Sequence, residues 1–171
     1  MTTFHHDGYG LRKPERRDAE RLFTLKNDAA TARLLAGFNT GYTHEEIEAW
    51  IARHGTAEHD IVWVIVDRTD RCVGHMGLYG LDQRVRSAEF GILVGPDSRR
   101  RGLGEACLRY ALDFAWESLN LQRVSLQVLA TNHAAIRLYE RVGFVLEGIL
   151  RRAQYKDGQY LDVRLMAVLR D

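Results

Sequence analysis

The sequence predicts a mixed α/β fold of the α+β class, in which helices pack against a sheet. Helix-like segments come first, and three strand-like segments then follow one another without a helix between them. Strands and helices alternate only beyond residue 94. A doubly wound protein alternates strand and helix along its whole length, so this order argues against that architecture.

Length and composition fit one compact domain. The chain has 171 residues, of which 46% are hydrophobic and 27% are charged. A disordered chain would have lower hydrophobicity and a larger net charge, and a domain is typically about 100–200 residues long. We therefore expect a single domain over residues 9–171, preceded by a loose end over residues 1–8.

Charge and apolar patterning limit the expected partners and location. Lysine and arginine total 24 against 23 for aspartate and glutamate. The net charge of +1 gives no reason to expect a nucleic acid or a membrane surface as partner. No apolar run approaches the ~20 residues that span a bilayer, and no secretory signal pattern is present. We expect a cytoplasmic protein with no metal, in which Cys72 and Cys107 are reduced, buried thiols.

Each element of the first sixty residues follows from a local pattern. Residues 9–13 are typical of a short strand, and residues 37–42 of a loop. Thr43 and Glu46 have the spacing of a capping box that opens a helix. The apolar faces of the two predicted helices carry Ala19, Leu22, Phe23, Ile47, Trp50 and Ile51.

Three consecutive strands are predicted next. Residues 61–66 form a continuous β-branched and aromatic run, which is typical of a strand covered on both faces. Residues 67–70 have turn composition. Residues 72–81 and 87–94 are two more strands, joined through a polar stretch, so the three strands are expected to form an antiparallel meander.

The remaining elements alternate. Leu103, Cys107, Tyr110 and Phe114 recur at helical spacing, which predicts a buried helix stripe. A strand over 124–129 follows. A short helix over 134–141 ends at Gly143, a plausible C-cap. Two final strands, over 144–150 and 162–169, are expected with a turn at Asp157-Gly158 between them.

Residues 94–104 carry the most informative motif, since they connect a predicted strand to an amphipathic helix. Gly102 and Gly104 let the backbone turn tightly there. The N–H groups of the first helical turn have no intrahelical partner, and the helix dipole adds positive potential. A phosphate or pyrophosphate suits such a site. Three arginines beside it reinforce the preference: Arg99, Arg100 and Arg101.

Two known nucleotide-binding patterns do not match this loop. The P-loop pattern G-x-x-x-x-G-K-[ST] is absent. A dinucleotide-binding fingerprint needs a third glycine where this chain has Cys107. A glycine-eased helix start with solvated arginines also explains the loop, so the motif alone leaves both readings open.

A second segment, residues 132–144, follows a predicted strand directly. Asn132 has the residue type and place of a helix cap. Tyr139 lies two helical turns further on, near the same face of the helix. Each also has an ordinary structural explanation, a cap for Asn132 and a half-buried aromatic with a satisfied hydroxyl for Tyr139.

Taken together, the two segments resemble the signatures of the GNAT N-acetyltransferase family, which moves acetyl from acetyl-coenzyme A to an amine. Residues 99–104 (Arg-x-x-Gly-x-Gly) match the family's pyrophosphate loop. Residues 132–144 (Asn-x-x-Ala-x-x-Leu-Tyr-x-x-x-Gly-Phe) match its second signature. Residues 88–94, 147–151 and 158–163 resemble the branch that acetylates ribosomal-protein N-termini and polyamines.

The resemblance implies a fold and a cofactor site. It implies a mixed, mostly antiparallel sheet of about seven strands with a V-shaped splay between the fourth and fifth. Acetyl-CoA is expected in that opening, where the backbone of Ile92, Leu93 and Val94 pairs with the pantetheine arm and one of their N–H groups polarises the thioester carbonyl. Asn132 is expected to reach the same arm or the loop below it. The pyrophosphate is expected on the N–H groups of Arg99, Arg100, Arg101, Gly102, Leu103 and Gly104.

The resemblance also implies two catalytic residues. A free alkyl amine has a pKa near ~10.4 and must lose a proton before it attacks. Glu89 is the candidate general base, directly or through water, although a structural carboxylate at a strand edge is an equal alternative. Tyr139 falls at the position of the family's usual general acid.

The acceptor and the assembly are left open at this stage. The expected acceptor is a primary amine of a small molecule or of a protein N-terminus, and a homodimer is one expectation for the assembly. A non-catalytic acetyl-CoA sensor and, less favoured, a nucleotide-phosphate binder are the alternatives. Candidate acceptor contacts are Phe38, Asn39, Tyr42, His75, Tyr155, Tyr160 and Asp162, and His133 could line the cofactor site. Acidic residues near the expected entrance, which would suit a polyamine, are Asp28, Glu45, Glu46 and Glu48.

Overall fold

A seven-stranded sheet runs through the part of the chain that the computed structural model describes, residues 4, 6–37, 40–55 and 59–171. Its strand order is β1-β2-β3-β4-β5-β7-β6. The strands are β1 (Gly10–Arg12), β2 (Ile61–Val66), β3 (Cys72–Asp82), β4 (Ser87–Val94), β5 (Arg123–Leu129), β6 (Val145–Lys156) and β7 (Gln159–Leu169). The helices are α1 (Ala19–Lys26), α2 (Ala29–Leu34), α3 (His44–Gly55), α4 (Leu103–Glu117) and α5 (His133–Val142).

The predicted antiparallel meander is confirmed. Ile61 of β2 pairs with Leu78 of β3, and Gly74 of β3 pairs with Val94 of β4. β1 extends the meander by pairing antiparallel with the outer edge of β2. Every residue of β2 after Ile61 is buried, which agrees with a strand covered on both faces.

Local capping chemistry sets the helix boundaries. The predicted capping box opens α3: the Thr43 N–H donates to Glu46 Oε2 (2.7 Å), and the Glu46 N–H donates to Thr43 Oγ1 (3.1 Å). The sequence did not predict α2, whose N-cap carboxylate on Asp28 accepts from the Thr31 N–H (2.7 Å) and hydroxyl (2.6 Å). Gly143 ends α5 as predicted, with a φ of 110° in the left-handed region.

The sheet splays between the fourth and fifth strands, as the resemblance implied. The parallel β4–β5 ladder covers only Ser87 to Glu89 on β4 and Arg123 to Ser125 on β5. Beyond those pairs β4 continues beside β3, and β5 continues beside β7. The two strands therefore diverge, and the edge of β4 after Glu89 is left without a strand partner.

Two apolar cores lie on opposite faces of the sheet. The larger core lies under α4 and α5 and includes Phe90 of β4 and Cys107 of α4. The smaller core lies under α1 and α3 and includes Leu93 of β4 and Cys72 of β3. Both cysteines are free and buried, as predicted. The alternation along β4 thus directs Glu89, Gly91 and Leu93 toward the α1–α3 face.

The last two strands are longer than the sequence predicted. The predicted ranges 144–150 and 162–169 correspond to Val145–Lys156 and Gln159–Leu169. β6 forms the edge of the sheet, and most of its residues are exposed. A strand exposed on both faces lacks the alternation of apolar and polar residues on which the prediction depended.

The turn between these strands is where the sequence predicted it. Asp157 and Gly158 have φ values of 49° and 80°, which is what a two-residue type I′ hairpin turn requires. β6 also contains a bulge at Arg152, whose φ is 52° and whose N–H donates to Asp162 Oδ1 (2.8 Å). The bulge interrupts the β6–β7 ladder after Leu150, and pairing resumes at Gln154.

Candidate active site

A cleft of about 510 Å³ opens where β4 and β5 diverge. β4 supplies one wall and β5 the other, while α5, the start of α4 and the segment from α2 to Gly37 close the sides. The lining residues are Thr31, Leu34, Leu35, Ala36, Gly37, Glu89, Phe90, Gly91, Ile92, Leu93, Val94, Arg99, Gly104, Gln127, Val128, Asn132, Ala135, Leu138, Tyr139 and Gln154. The cleft therefore brings together predicted residues from three separate parts of the sequence.

Arg99 joins the end of β4 to α2. Its Nε donates to the Val94 carbonyl (2.9 Å), and its Nη2 donates to Thr31 Oγ1 (2.6 Å). Its backbone N–H donates to the Pro96 carbonyl (3.3 Å). Because these groups are engaged within the protein, the N–H groups suited to an anion begin at Arg100. Arg100 itself has a φ of 61° and an exposed side chain.

The start of α4 has the geometry of an anion site. Gly102 is the N-cap, with a φ of 71°, and its carbonyl accepts from the Ala106 N–H (3.1 Å). The N–H groups of Leu103 and Gly104 precede that first helical bond and lie at the positive end of the dipole. Gly104 also allows close packing, because a Cβ there would lie 3.4 Å from Leu138 Cδ1.

Arg101 and the N-terminal segment meet beside this loop. The Arg101 side chain is exposed, and its carbonyl lies 2.8 Å from Nε2 of His6. Phe4 packs edge-on against Tyr110 of α4, with ring centroids 5.8 Å apart. Residues 1–3 and 5 lie outside the described part of the chain.

Asn132 has the capping role that its residue type allowed. Its Oδ1 accepts from the Ala135 N–H (3.2 Å) at the start of α5. Its Nδ2 donates to the Leu34 carbonyl (3.2 Å) at the end of α2. Asn132 thus fixes two walls of the cleft relative to each other while lining it.

Tyr139 lies on α5 and lines the cleft, with its ring 5.9 Å from that of Phe144. Burial raises the pKa of its hydroxyl to about 12. The hydroxyl therefore keeps its proton throughout the neutral pH range and acts there as a hydrogen-bond donor.

Glu89 occupies the last paired position before the splay. It lies opposite Tyr79 on β3 and Ser125 on β5, and it lines the cleft with an exposed side chain. The carboxylate thus sits at the vertex of the V. Ile92, Leu93 and Val94 follow it along the unpaired edge of β4, as the predicted site requires.

A second cavity of about 220 Å³, which we call the side cavity, adjoins the cleft. The two share the wall formed by Leu35, Ala36, Gly91, Ile92 and Leu93. The remaining lining residues of the side cavity are Lys26, Tyr42, His75 and Tyr79. The sequence suggested Tyr42 and His75 as acceptor contacts, whereas Lys26 and Tyr79 were not among its candidates.

Two glycines make room for the Tyr79 ring. Gly77 and Gly91 face each other across β3 and β4. A Cβ on Gly77 would lie 2.7 Å from Tyr79 Cζ, and one on Gly91 would lie 3.1 Å from its Cε2. The ring therefore lies flat along the sheet, and its burial raises the pKa of the Tyr79 hydroxyl.

Lys26 is a half-buried cation at the end of α1. Its ammonium lies 4.4 Å from the ring centroid of Trp50 and 5.2 Å from that of Tyr42. Burial, together with the charge of Arg53, lowers the pKa of Lys26 to about 8. A sequence signal did exist, because Lys26 follows buried Leu22 at the i+4 position and so belongs to the core-facing side of α1.

His75 is buried in β3, with 8% of its surface exposed. Neither ring nitrogen has a hydrogen-bond partner among the described residues. Burial and the neighbouring charges of Lys26 and His54 hold the pKa of His75 well below its usual range. The imidazole is therefore neutral and offers one donor and one acceptor.

Of the other candidate residues, none that the structure describes lines the side cavity. Tyr155 and Tyr160 are exposed and contact each other at 4.9 Å on the β6–β7 hairpin, and His133 is exposed at the start of α5. Phe38 and Asn39 lie outside the described residues. Within the described ranges no three His, Cys, Asp or Glu side chains come together as a metal site, and no helix there is long and apolar enough to cross a membrane.

Comparison with known proteins agrees with this geometry. A family model for the acetyltransferase (GNAT) domain matches residues 9–145. Spermidine N(1)-acetyltransferase of Vibrio cholerae is 31% identical over 160 residues, which cover 93% of this chain and 91% of that protein. The structure of the V. cholerae spermidine N-acetyltransferase with CoA and spermine has a TM-score of 0.88 at 29% identity and covers 96% of each chain.

A dodecameric structure of spermidine N-acetyltransferase from V. cholerae is also similar. Its TM-score is 0.82 at 30% identity, over 96% of this chain and 95% of that one. The family model, the sequence relative and the CoA-bound structure agree on one assignment. The chain therefore belongs to the GNAT family and is an acetyltransferase that uses acetyl-CoA.

Proposed function

We propose that this acetyltransferase transfers acetyl to the primary amine of a small molecule or protein N-terminus, by direct attack of the amine within the cleft. The observation that carries the proposal is the convergence of Glu89, Tyr139 and the unpaired edge of β4 on one opening. A general base, a proton donor and a backbone recognition edge are the three parts that this chemistry needs.

The cleft suits acetyl-CoA, which supplies an activated acetyl thioester. The unpaired backbone of Ile92, Leu93 and Val94 is available to hydrogen-bond an extended amide chain such as pantetheine. The N–H groups at the start of α4, with Arg100 and Arg101 beside them, suit the pyrophosphate. Arg99 supports the site from beneath, because its guanidinium is engaged with Val94 and Thr31.

The transfer step exchanges one bond for another. The amine lone pair forms the C–N bond to the acetyl carbon, and the C–S bond breaks with its electron pair on sulfur. The amine proton leaves through Glu89, directly or through water, and the sulfur receives a proton from Tyr139. The products are an N-acetylated amine and the free thiol of CoA.

The protonation state of Tyr139 supports this assignment of roles. A hydroxyl with a pKa of about 12 stays neutral at the pH where a thiol of pKa ~8.5 begins to ionise. Tyr139 is thus a donor toward the leaving sulfur from the start of the reaction. Glu89, at the vertex of the V, is a carboxylate of the type that accepts the amine proton.

The assembly we propose is an oligomer of at least two copies. β6 is an edge strand that exposes Val145, Ile149 and Leu150, and an exposed apolar edge favours association. The dodecameric relative supports assembly of copies. Sedimentation should give a mass of at least twice 19.6 kDa, whereas a monomer mass at micromolar concentration would exclude this assembly.

Thiol release tests the proposed activity. Acetyl-CoA is mixed with the protein and with each member of a panel of primary amines that includes spermidine, amino acids and short peptides with free N-termini. The proposal expects free CoA thiol to appear only when a suitable amine is present. Tight binding of acetyl-CoA without amine-dependent thiol release would instead indicate the sensor function.

A further inference from the structure

The side cavity adjoins the cleft in which we propose that acetyl transfer takes place. The two share Gly91, Ile92 and Leu93 of β4, so a molecule in the side cavity lies beside the β4 wall of the cleft. Its volume of about 220 Å³ is below the ~300 Å³ of typical drug-sized pockets. The occupant is therefore a small molecule or the terminal group of a larger one.

The charge that lines this cavity is positive. Lys26 contributes an ammonium that stands over the rings of Trp50 and Tyr42. No aspartate or glutamate is found among the described residues that line the cavity.

Of the four acidic residues that the sequence suggested for a polyamine, Asp28, Glu46 and Glu48 have partners elsewhere, and Glu45 is exposed and does not line the cavity. Asp28 caps α2, and Glu46 caps α3. Glu48 lies 3.7 Å from Arg16. Asp60, which lies near Tyr79, accepts from the Gly80 N–H (2.8 Å) and lies 3.4 Å from His54. A polycation in this cavity would therefore lie beside the Lys26 ammonium, and no described residue that lines the cavity offers it a carboxylate.

His75 supplies the polar contact that a ligand would complete. It is buried, lines the cavity, and has no hydrogen-bond partner for either nitrogen among the described residues. A buried polar group without a partner is unfavourable, and a ligand that supplies one removes that cost. The aromatic rings of Tyr42 and Tyr79 beside it suit an apolar body.

We propose that the side cavity binds an acceptor with a carboxylate and an apolar or aromatic body, a small amino acid rather than a polyamine. Lys26 holds the carboxylate through a charge-assisted hydrogen bond, and His75 donates a second one. The amine then points to the wall shared with the cleft. This inference rests on the proposed function, because the acceptor site is defined by acetyl transfer.

A matched pair of substrates tests whether the acceptor carboxylate contributes to recognition. L-Phenylalanine and phenethylamine differ only in that group, and spermidine is the polyamine comparison. We expect kcat/KM for L-phenylalanine to exceed those for phenethylamine and for spermidine by about tenfold or more, as a charge-assisted hydrogen bond allows. A higher kcat/KM for spermidine or for phenethylamine would overturn the inference.

Two variants test whether Lys26 is responsible for the preference for L-phenylalanine over phenethylamine. Lys26→Met keeps the side-chain length and removes the charge, so it should reduce the phenylalanine-to-phenethylamine ratio by about tenfold. Lys13→Met, which removes an exposed lysine away from the cavity, is the control and should keep the wild-type ratio. An equal ratio in Lys26→Met and wild type would overturn the role of Lys26.

Product binding separates this inference from the proposed function. Calorimetry with the CoA-saturated protein compares N-acetyl-L-phenylalanine with N-acetylphenethylamine and needs no turnover. The inference expects the acid to bind at least about tenfold tighter, and only when Lys26 is present. If N-acetyl-L-phenylalanine binds tighter by this factor but no amine is acetylated, the inference stands and the proposed activity fails. If spermidine is acetylated and the acid binds no tighter, the activity stands and the inference fails.

Discussion

The cleft and the side cavity share a wall but are built from different parts of the chain. The cleft depends on backbone groups and on two contiguous segments, residues 99–104 and 132–139. The side cavity is lined by residues from five separate segments: Lys26 on α1, Leu35 and Ala36 after α2, Tyr42 before α3, His75 and Tyr79 on β3, and Gly91 to Leu93 on β4. A backbone site leaves a local signature in a sequence, whereas a site assembled from distant side chains does not.

The same difference suggests separate functions for the two regions, cosubstrate binding in the cleft and acceptor selection in the side cavity. Backbone groups along β4 and at the start of α4 suit a cosubstrate that is the same for every member of the family. Charged and aromatic side chains in the side cavity suit a choice between acceptors. We therefore expect changes in the cleft to alter the rate for every amine, and changes in the side cavity to alter which amine is used.

The largest expected effect is at Tyr139. Tyr139→Phe removes the hydroxyl but keeps the ring against Phe144. Because acid–base catalysis contributes about 10²–10⁴ in rate, kcat should fall by at least about a hundredfold for every amine. The dissociation constant of acetyl-CoA, measured by calorimetry, should be nearly unchanged. A wild-type kcat would show that Tyr139 is not the proton donor.

Glu89→Gln should have the second-largest effect. The substitution keeps the shape of the side chain at the vertex of the V and removes its ability to accept a proton. We expect a fall in kcat/KM of about a hundredfold, because acid–base catalysis contributes about 10²–10⁴ in rate. Steady-state thiol release with one amine, compared between the variant and wild type, measures this fall. An unchanged kcat/KM would leave Glu89 with a structural role only.

The pH dependence of the free energy of unfolding tests, without any substrate, whether Lys26 is desolvated. Its folded pKa of about 8 lies below the ordinary value of 10.5, so between these values the unfolded chain binds the proton more strongly. The free energy of unfolding should therefore rise with pH from 8 to 10.5 in wild type relative to Lys26→Met, by about 3 kcal/mol. Denaturant unfolding at several pH values measures this difference. Parallel curves for the two proteins would mean that Lys26 is not desolvated.

Gly102→Ala should have the smallest effect. An alanine at a φ of 71° is strained by about 1–2 kcal/mol, so the N–H groups of the loop should shift and the affinity for acetyl-CoA should fall about tenfold. Gly158→Ala is the matched control, because Gly158 has a φ of 80° and lies in the β6–β7 turn away from the cleft. Equal losses of affinity in both variants would point to general destabilisation instead.

The sequence predicted those parts of the molecule whose signal is local. The Thr43–Glu46 capping box, the Gly143 C-cap and the Asp157-Gly158 turn each depend on a few neighbouring residues, and each is confirmed. The splay between β4 and β5 required the resemblance to a family, because no local pattern records where two strands separate.

The parts that were missed lack a periodic signal. α2 has six residues, of which Thr31 alone is buried, so it shows no apolar stripe. β6 is exposed on both faces and shows no alternation. Lys26 became a candidate only when the fold brought it to the side cavity with His75, which lies 49 positions further along the chain.

One kinetic comparison tests the division between the two regions most directly. Rates of thiol release are measured for L-phenylalanine and phenethylamine with wild type, Tyr139→Phe and Lys26→Met. Tyr139→Phe should lower kcat for both amines and keep their ratio of kcat/KM. Lys26→Met should change that ratio and keep kcat for phenethylamine. A result in which both variants change the ratio alike, or both lower kcat alike, would contradict the division.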